Sequence, residues 1–222
     1  MNNFASVFKK LIWSIFFLIT SFYSYSQTNT LYAIISDTLA IIDVATGDAT
    51  AIDKLTGNYS GFAGLTYNPE DDLLYAITNG NVDPILITID RFTAVVTQIG
   101  NVDQQSPFLD LKRMSSLSFN PIDGKLYGAG YELNSSQNWF FDRRLFTIDP
   151  SSGDATFITD IFGTCTDDWD VLVISESGAY VGDYCPSPAG FYSVDLVTGS
   201  STLIAENVET NGSILALSLI HI

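Results

Sequence analysis

The chain has 222 residues, with 25 aspartates and glutamates against nine lysines and arginines, and a formal net charge of −16. A body this acidic repels phosphate backbones and anionic lipid surfaces, which argues against nucleic-acid binding. With 46% hydrophobic and 13% aromatic residues it is not a disordered acidic tail, because it can bury a sizeable core.

The first 26 residues have the pattern of a secretory signal peptide. Lys9 and Lys10 precede a mostly apolar run, Leu11–Phe22. Ser24 and Ser26 then provide small residues at the two positions that a signal peptidase recognises before it cleaves. A membrane anchor is the alternative, but the run is shorter than the roughly 20 residues that span a bilayer. We therefore expect residues 1–26 to be removed and the mature chain, which has no membrane span, to be secreted. Its expected location is extracellular or at the cell surface, with the periplasm as an alternative.

The rest of the sequence repeats four times, near residues 31–55, 61–102, 114–161 and 168–208. Each copy has a Leu-Tyr-like mark, whose tyrosines are Tyr32, Tyr75, Tyr127 and Tyr180. Each also has an aspartate followed by a Thr-Gly-like pair, and these marker aspartates are Asp43, Asp90, Asp149 and Asp195. Marks that recur in a fixed order indicate a repeat architecture, in which one structural unit is copied along the chain.

Each copy is predicted to form four short strands, except that the first copy lacks the innermost one. In the second copy they are Phe62–Tyr67, Leu73–Ile77, Ile85–Asp90 and Ala94–Ile99, rich in β-branched and aromatic residues. Four antiparallel strands in about 40–50 residues are typical of a β-propeller blade. The predicted fold class is all-β, a β-propeller-like domain over residues 27–216 with about four four-stranded antiparallel blades, or an incomplete, truncated propeller.

The repeated marks themselves are predicted to be structural. The marker aspartates are expected to accept backbone N–H groups in tight turns, where the following glycine supplies a positive φ, rather than to form a ring of ligands. The four tyrosines are expected to fill the interfaces between blades rather than to bind sugar.

The marks Leu74–Ile77, Ile148–Gly153 and Gly64–Pro69 resemble those of a family of uncharacterised, secreted bacterial propeller-like repeat domains with the pattern LYxI…IDxxTGxxT…GLxYNPxDxxLYG. The resemblance covers roughly Leu31 to Ala216, and the fourth copy departs from it by lacking Asn-Pro. It implies a propeller fold and export, and it brings no catalytic residues with it.

Residues 217–222 have two interpretations. The six residues match a translated sequencing-library adapter, which would make them a non-native tail and the chain a fragment whose natural reading frame is lost after Ala216. Alternatively, Ser213–Ile220 supplies the inner strand that the first copy lacks. The match over six consecutive residues favours the adapter.

Cys165 and Cys185 are predicted to form a disulfide. They flank a predicted hairpin of Trp169–Ile174 and Ala179–Asp183 with its turn at Glu176-Ser177, which places them near each other at the open end. An oxidising compartment favours a disulfide, and a reactive or metal-binding thiol pair would need partners that the sequence does not supply.

Two further features are candidates for binding. Asp167, Asp168 and Asp170 form the densest acidic cluster, a weak candidate for Ca²⁺ against the alternative of a solvated surface, because alternating strand residues point to opposite faces. Insertions at Val102–Arg113 and Tyr131–Asp142 interrupt the repeat. The aromatic and basic residues in and after the second insertion are Trp139, Phe140, Phe141, Arg143 and Arg144. They either form a ligand-binding loop or fold back over the blade.

The usual parts of an enzyme are missing from the sequence, which contains no phosphate-binding loop, nucleophile elbow or His-based metal motif. The first hypothesis is therefore an exported, non-catalytic propeller module that binds an extracellular protein or glycan, without a cofactor. The alternative is a Ca²⁺-dependent propeller enzyme, a lyase or hydrolase acting on a polysaccharide or lactone.

Overall fold

A computed structural model describes residues 30–78, 83–103, 111–133, 141–160, 169–183 and 190–206. The regular elements there are fifteen strands, all within the unit Thr30–Ile220. They are β1 (Leu31–Ile35), β2 (Thr38–Ile42), β3 (Ala49–Lys54), β4 (Leu65–Asn68), β5 (Leu73–Thr78), β6 (Ile85–Asp90), β7 (Val96–Asn101), β8 (Leu111–Asn120), β9 (Lys125–Leu133), β10 (Phe141–Ile148), β11 (Ala155–Asp160), β12 (Trp169–Ser175), β13 (Gly178–Asp183), β14 (Gly190–Val194) and β15 (Ser201–Glu206).

The strands form four antiparallel sheets, one for each sequence repeat. Blade 1 is β1-β2-β3, blade 2 is β4 to β7, blade 3 is β8 to β11 and blade 4 is β12 to β15, each in sequence order. The part of the chain that the structure describes has no helix. The prediction of an all-β, β-propeller-like fold is confirmed. Blade 1 has three strands in the described residues, as expected from the missing inner strand of the first repeat.

The inner strands β4, β8 and β12 lie side by side and are joined by a repeated hydrogen bond. The backbone N–H of Phe119 donates to Oγ1 of Thr66 over 2.9 Å, and the N–H of Ile174 donates to Oγ of Ser118 over 2.9 Å. Because both bonds are buried, these hydroxyls fix the register of one blade against the next.

The hydrophobic core consists of layers between neighbouring blades. One buried cluster joins blades 2 and 3 and includes Tyr75, Leu117 and Phe146. A second joins blades 3 and 4 and includes Tyr127, Leu145 and Leu172. Each blade therefore buries its faces against its neighbours, the arrangement in which a repeat unit gains stability only by stacking.

The predicted starts of two strands in blade 2 were wrong by two or three residues. β4 begins at Leu65 instead of Phe62, because Gly64 has a φ of 89° and interrupts the extended backbone. β7 begins at Val96 instead of Ala94, because Ala94 occupies the glycine position of the turn with a φ of 55°.

The two insertions are partly strand. Residues Leu111–Arg113 begin the ten-residue strand β8, and β9 and β10 extend their pairing as far as Leu133 opposite Phe141. The predicted connections Val102–Arg113 and Tyr131–Asp142 are therefore shorter than the repeat spacing indicated, because the added residues lengthen the sheet of blade 3.

Candidate functional site

The two ends of the sheets differ in their connections. At one end, here called the turn end, each blade closes with tight turns that carry the repeated marks. At the other, the loop end, strands β5, β9 and β13 finish and β6, β10 and β14 begin. The connections 79–82, 104–110, 134–140, 161–168 and 184–189, which lie outside the described residues, all leave and rejoin the sheets at the loop end.

The marker aspartates form the turns at the turn end, as predicted. Asp90 Oδ1 accepts hydrogen bonds from the backbone N–H of Phe92 and Thr93, both over 2.9 Å. These two bonds hold the pKa of the Asp90 carboxyl below its usual value. Asp43, Asp149 and Asp195 accept equivalent bonds in the other blades. The four aspartates therefore serve their own turns and do not form a ligand ring.

Tyrosine–aspartate hydrogen bonds add to the turn end. The hydroxyl of Tyr75 donates to Asp71 Oδ2 over 2.6 Å, and that of Tyr127 donates to Asp123 Oδ2 over 2.7 Å. Burial and the neighbouring Asp123 carboxylate raise the pKa of Tyr127 to about 12. Because both rings are buried between blades, these tyrosines have the interface role expected from the sequence.

Arg91 organises a polar cluster that the sequence did not reveal. Its Nε donates to Asp72 over 2.8 Å, and its Nη1 donates to the Tyr32 hydroxyl over 3.1 Å. Tyr67 also donates to Asp72, over 2.6 Å, and this bond together with Arg91 lowers the pKa of the Asp72 carboxyl. The guanidinium lies 4.1 Å from the centre of the Phe92 ring. Since Tyr32 belongs to blade 1, the cluster fastens blade 1 to blade 2.

Most of the residues singled out from the sequence are not described by the structure. Asp170 is in β12, and Phe141 and Arg143 are in β10, but their side chains are outside the described part of the chain. Entirely outside the described residues are Trp139, Phe140, Cys165, Asp167, Asp168 and Cys185.

The hairpin of β12 and β13, which lies between the two cysteines in the sequence, has the predicted register except for one bulge. Ile174 pairs with Ala179 around the predicted turn, and a bulge at Asp170 shifts the pairing so that Trp169 faces Asp183. The disulfide itself remains a prediction.

A row of basic and aromatic residues crosses the loop end of blade 3. Arg113, Tyr131 and Arg143 occupy paired backbone positions on β8, β9 and β10. Next to this row, Arg144 forms an ion pair of 3.2 Å with Asp160 and lies 5.0 Å from the centre of the Phe157 ring.

The two arginine-bearing strands of this row, β8 and β10, are rich in positive charge. Together they carry four of the nine lysines and arginines of the chain. Sequence reasoning pointed to Arg143 and Arg144 but missed Arg113, because its separation along the chain hides a pairing that only the β8–β9–β10 register creates.

No group of three or more histidine, cysteine, aspartate or glutamate side chains could hold a metal ion within the described ranges. Because Asp167 and Asp168 lie outside those ranges, the calcium site stays a prediction. Among the described residues, no helix is long and apolar enough to cross a membrane.

No protein-family model and no curated protein matches the chain. A crystal structure of a nidogen/laminin complex is similar in fold, with a TM-score of 0.54 and 12% identity over 81% of this chain and 62% of that chain. A Bacteroides thetaiotaomicron protein of unknown function has a TM-score of 0.49 at 17% identity, over 79% of this chain and 40% of that one. TolB from Acinetobacter baumannii has a TM-score of 0.45 at 14% identity, over 76% and 38%.

The chain therefore spans less than two thirds of the length of each of these structures. At 12% identity, the likeness to the nidogen/laminin structure supports the fold alone.

Proposed function

We propose that this protein is an exported, non-catalytic β-propeller module that binds an extracellular protein or glycan through its loop end. The observation that carries the proposal is the difference between the two ends of the sheets. At the turn end, the marker aspartates and the interface tyrosines are engaged in hydrogen bonds that build the blades. At the loop end, the connections vary in length from blade to blade, which is how repeat scaffolds present a binding face.

The chemistry of blade 3 indicates where binding is centred. Arginine and tyrosine are enriched at binding hot spots, because a guanidinium forms paired hydrogen bonds and an aromatic ring offers a large rigid surface. The Arg113–Tyr131–Arg143 row combines both at the loop end. Neighbouring strands are about 5 Å apart, so the row spans about 10 Å, a length suited to a short stretch of polysaccharide or an extended peptide.

The proposal is tested with the chain lacking its predicted signal peptide and a panel of immobilised probes: polygalacturonate, alginate, xylan, amylose, collagen and fibronectin. We expect at least one probe to bind, and we expect the Arg113→Gln/Arg143→Gln double variant to bind it at least about tenfold more weakly, as for loss of hot-spot contacts. The control Lys54→Gln/Lys125→Gln removes the same charge elsewhere and is expected to bind like the wild type. Failure to bind any probe, or equal losses in both variants, would contradict the proposal.

The same protein distinguishes the enzyme alternative. A ligand that binds only the native state raises the melting temperature, so a calcium-dependent propeller enzyme should melt at a higher temperature in CaCl₂ than in EDTA. The binding module is expected to melt at the same temperature in both. A calcium-dependent rise in melting temperature, together with cleavage of polygalacturonate or of a lactone, would contradict the binding module and support the enzyme.

A further inference from the structure

The positive charge of the chain is gathered on three neighbouring strands of blade 3. Strands β8, β9 and β10 together contain five lysines and arginines and two acids, Glu132 and Asp142. The other residues after residue 26 contain two lysines and arginines and 23 aspartates and glutamates. A sheet of net positive charge in an otherwise strongly acidic chain creates a local potential that attracts an anionic ligand.

The register of these strands brings two of the arginines to the loop end, with a tyrosine between them. The backbone of Tyr131 pairs with that of Arg113 on one side and with that of Arg143 on the other. A guanidinium binds a carboxylate through two parallel hydrogen bonds, and tyrosine combines an apolar ring with a polar hydroxyl. Two arginine positions on either side of a tyrosine therefore suit a ligand that carries carboxylates on a partly apolar frame.

We infer that the loop end of blade 3 binds a short uronate oligosaccharide; this inference rests on the binding function proposed above and names its ligand. A uronate holds its carboxylate on a rigid sugar ring, so it loses less conformational freedom on binding than an acidic peptide with flexible side chains. The C–H face and the hydroxyl groups of the sugar match the ring and the hydroxyl of tyrosine. The ligand is short, because the 23 acids elsewhere in the chain repel a long polyanion.

Calorimetric titration of the chain without its predicted signal peptide tests the inference. The ligand is trigalacturonate, and its trimethyl ester is the control because it has the same sugars without their charge. In about 150 mM NaCl the Debye length is about 8 Å, so the distant acids are largely screened. We expect the ester to bind at least about tenfold more weakly, as for the loss of a hydrogen bond to a charged group. This comparison uses the wild type alone and does not depend on how a variant folds.

Variants locate the site. We expect Arg113→Gln/Arg143→Gln to bind trigalacturonate at least about tenfold more weakly than the wild type, and to discriminate less between the acid and its ester. Lys54→Gln/Lys125→Gln removes the same charge away from the row and is expected to bind trigalacturonate like the wild type. An equal loss of affinity in the two double variants would overturn the inference.

The remaining outcomes separate this inference from the proposed function. Equal affinity for trigalacturonate and its ester would overturn the uronate inference and leave the binding module standing. A triglutamate peptide that binds as tightly as trigalacturonate would overturn it in favour of an acidic peptide. If trigalacturonate does not bind but another probe of the panel does, the inference alone fails. If no probe of the panel binds either, the proposed function fails with it.

Discussion

Replacing Gly64 with valine is expected to lower the free energy of unfolding by about 3 kcal/mol or more, the sum of a strained backbone and an overpacked contact. Gly64 has a φ of 89°, a conformation that side chains with a Cβ rarely adopt. An added Cβ would also overlap the backbone nitrogen of Leu117 in blade 3. Because that neighbour is the backbone of an inner strand, it cannot move aside without disturbing the packing of blades 2 and 3.

Thermal unfolding followed by circular dichroism measures this effect. For a domain of this size a loss of 3 kcal/mol lowers the melting temperature by about 10 °C. The Gly47→Val variant is the control, because Gly47 also has a positive φ, 79°, but has open space around it. If Gly64→Val melts no lower than Gly47→Val, then blades 2 and 3 do not approach each other as described.

The second large effect is expected at Gly153, the turn glycine of blade 3. Gly47 and Gly153 have φ values of 79° and 86°, so valine strains the backbone similarly at both positions. Only at Gly153 would the new side chain press on the preceding blade, where Asn101 offers its backbone oxygen. We therefore expect Gly153→Val to be destabilised by about 1–3 kcal/mol more than Gly47→Val, the range for an overpacked contact.

Urea denaturation of the two variants gives this difference directly, because both substitutions add the same side chain at the same turn position. The difference isolates the contact between blades, since the conformational cost is shared. Equal stabilities for Gly47→Val and Gly153→Val would mean that the turn of blade 3 does not touch blade 2.

Features that depend on neighbouring residues in the sequence could be predicted. The Asp-x-x-Thr-Gly turns are local hydrogen-bonded structures, so the marker aspartates revealed both the turns and the number of blades. The hairpin of β12 and β13 was predicted in its register, because the two-residue turn at Glu176 and Ser177 fixes which residues face each other.

Features that depend on packing could not be predicted. Ala94 adopts a left-handed conformation without being glycine, and it is fully buried, so the fold and not local preference decides its φ. The Arg91–Tyr32 bond joins residues far apart in the sequence, and Arg113 joins the row with Arg143 only through the register of three strands. Contacts between residues that are distant in the sequence leave no periodic pattern from which they could be predicted.

The most direct test of the blade arrangement is amide hydrogen exchange, measured residue by residue by NMR. The amide of Phe119 donates to the Thr66 hydroxyl of the preceding blade, and the amide of Ile174 donates to the Ser118 hydroxyl. We predict that Thr66→Val accelerates exchange at Phe119 and that Ser118→Ala accelerates it at Ile174, each with little change at the other amide. Unchanged exchange at both amides would contradict a propeller in which these inner strands lie side by side.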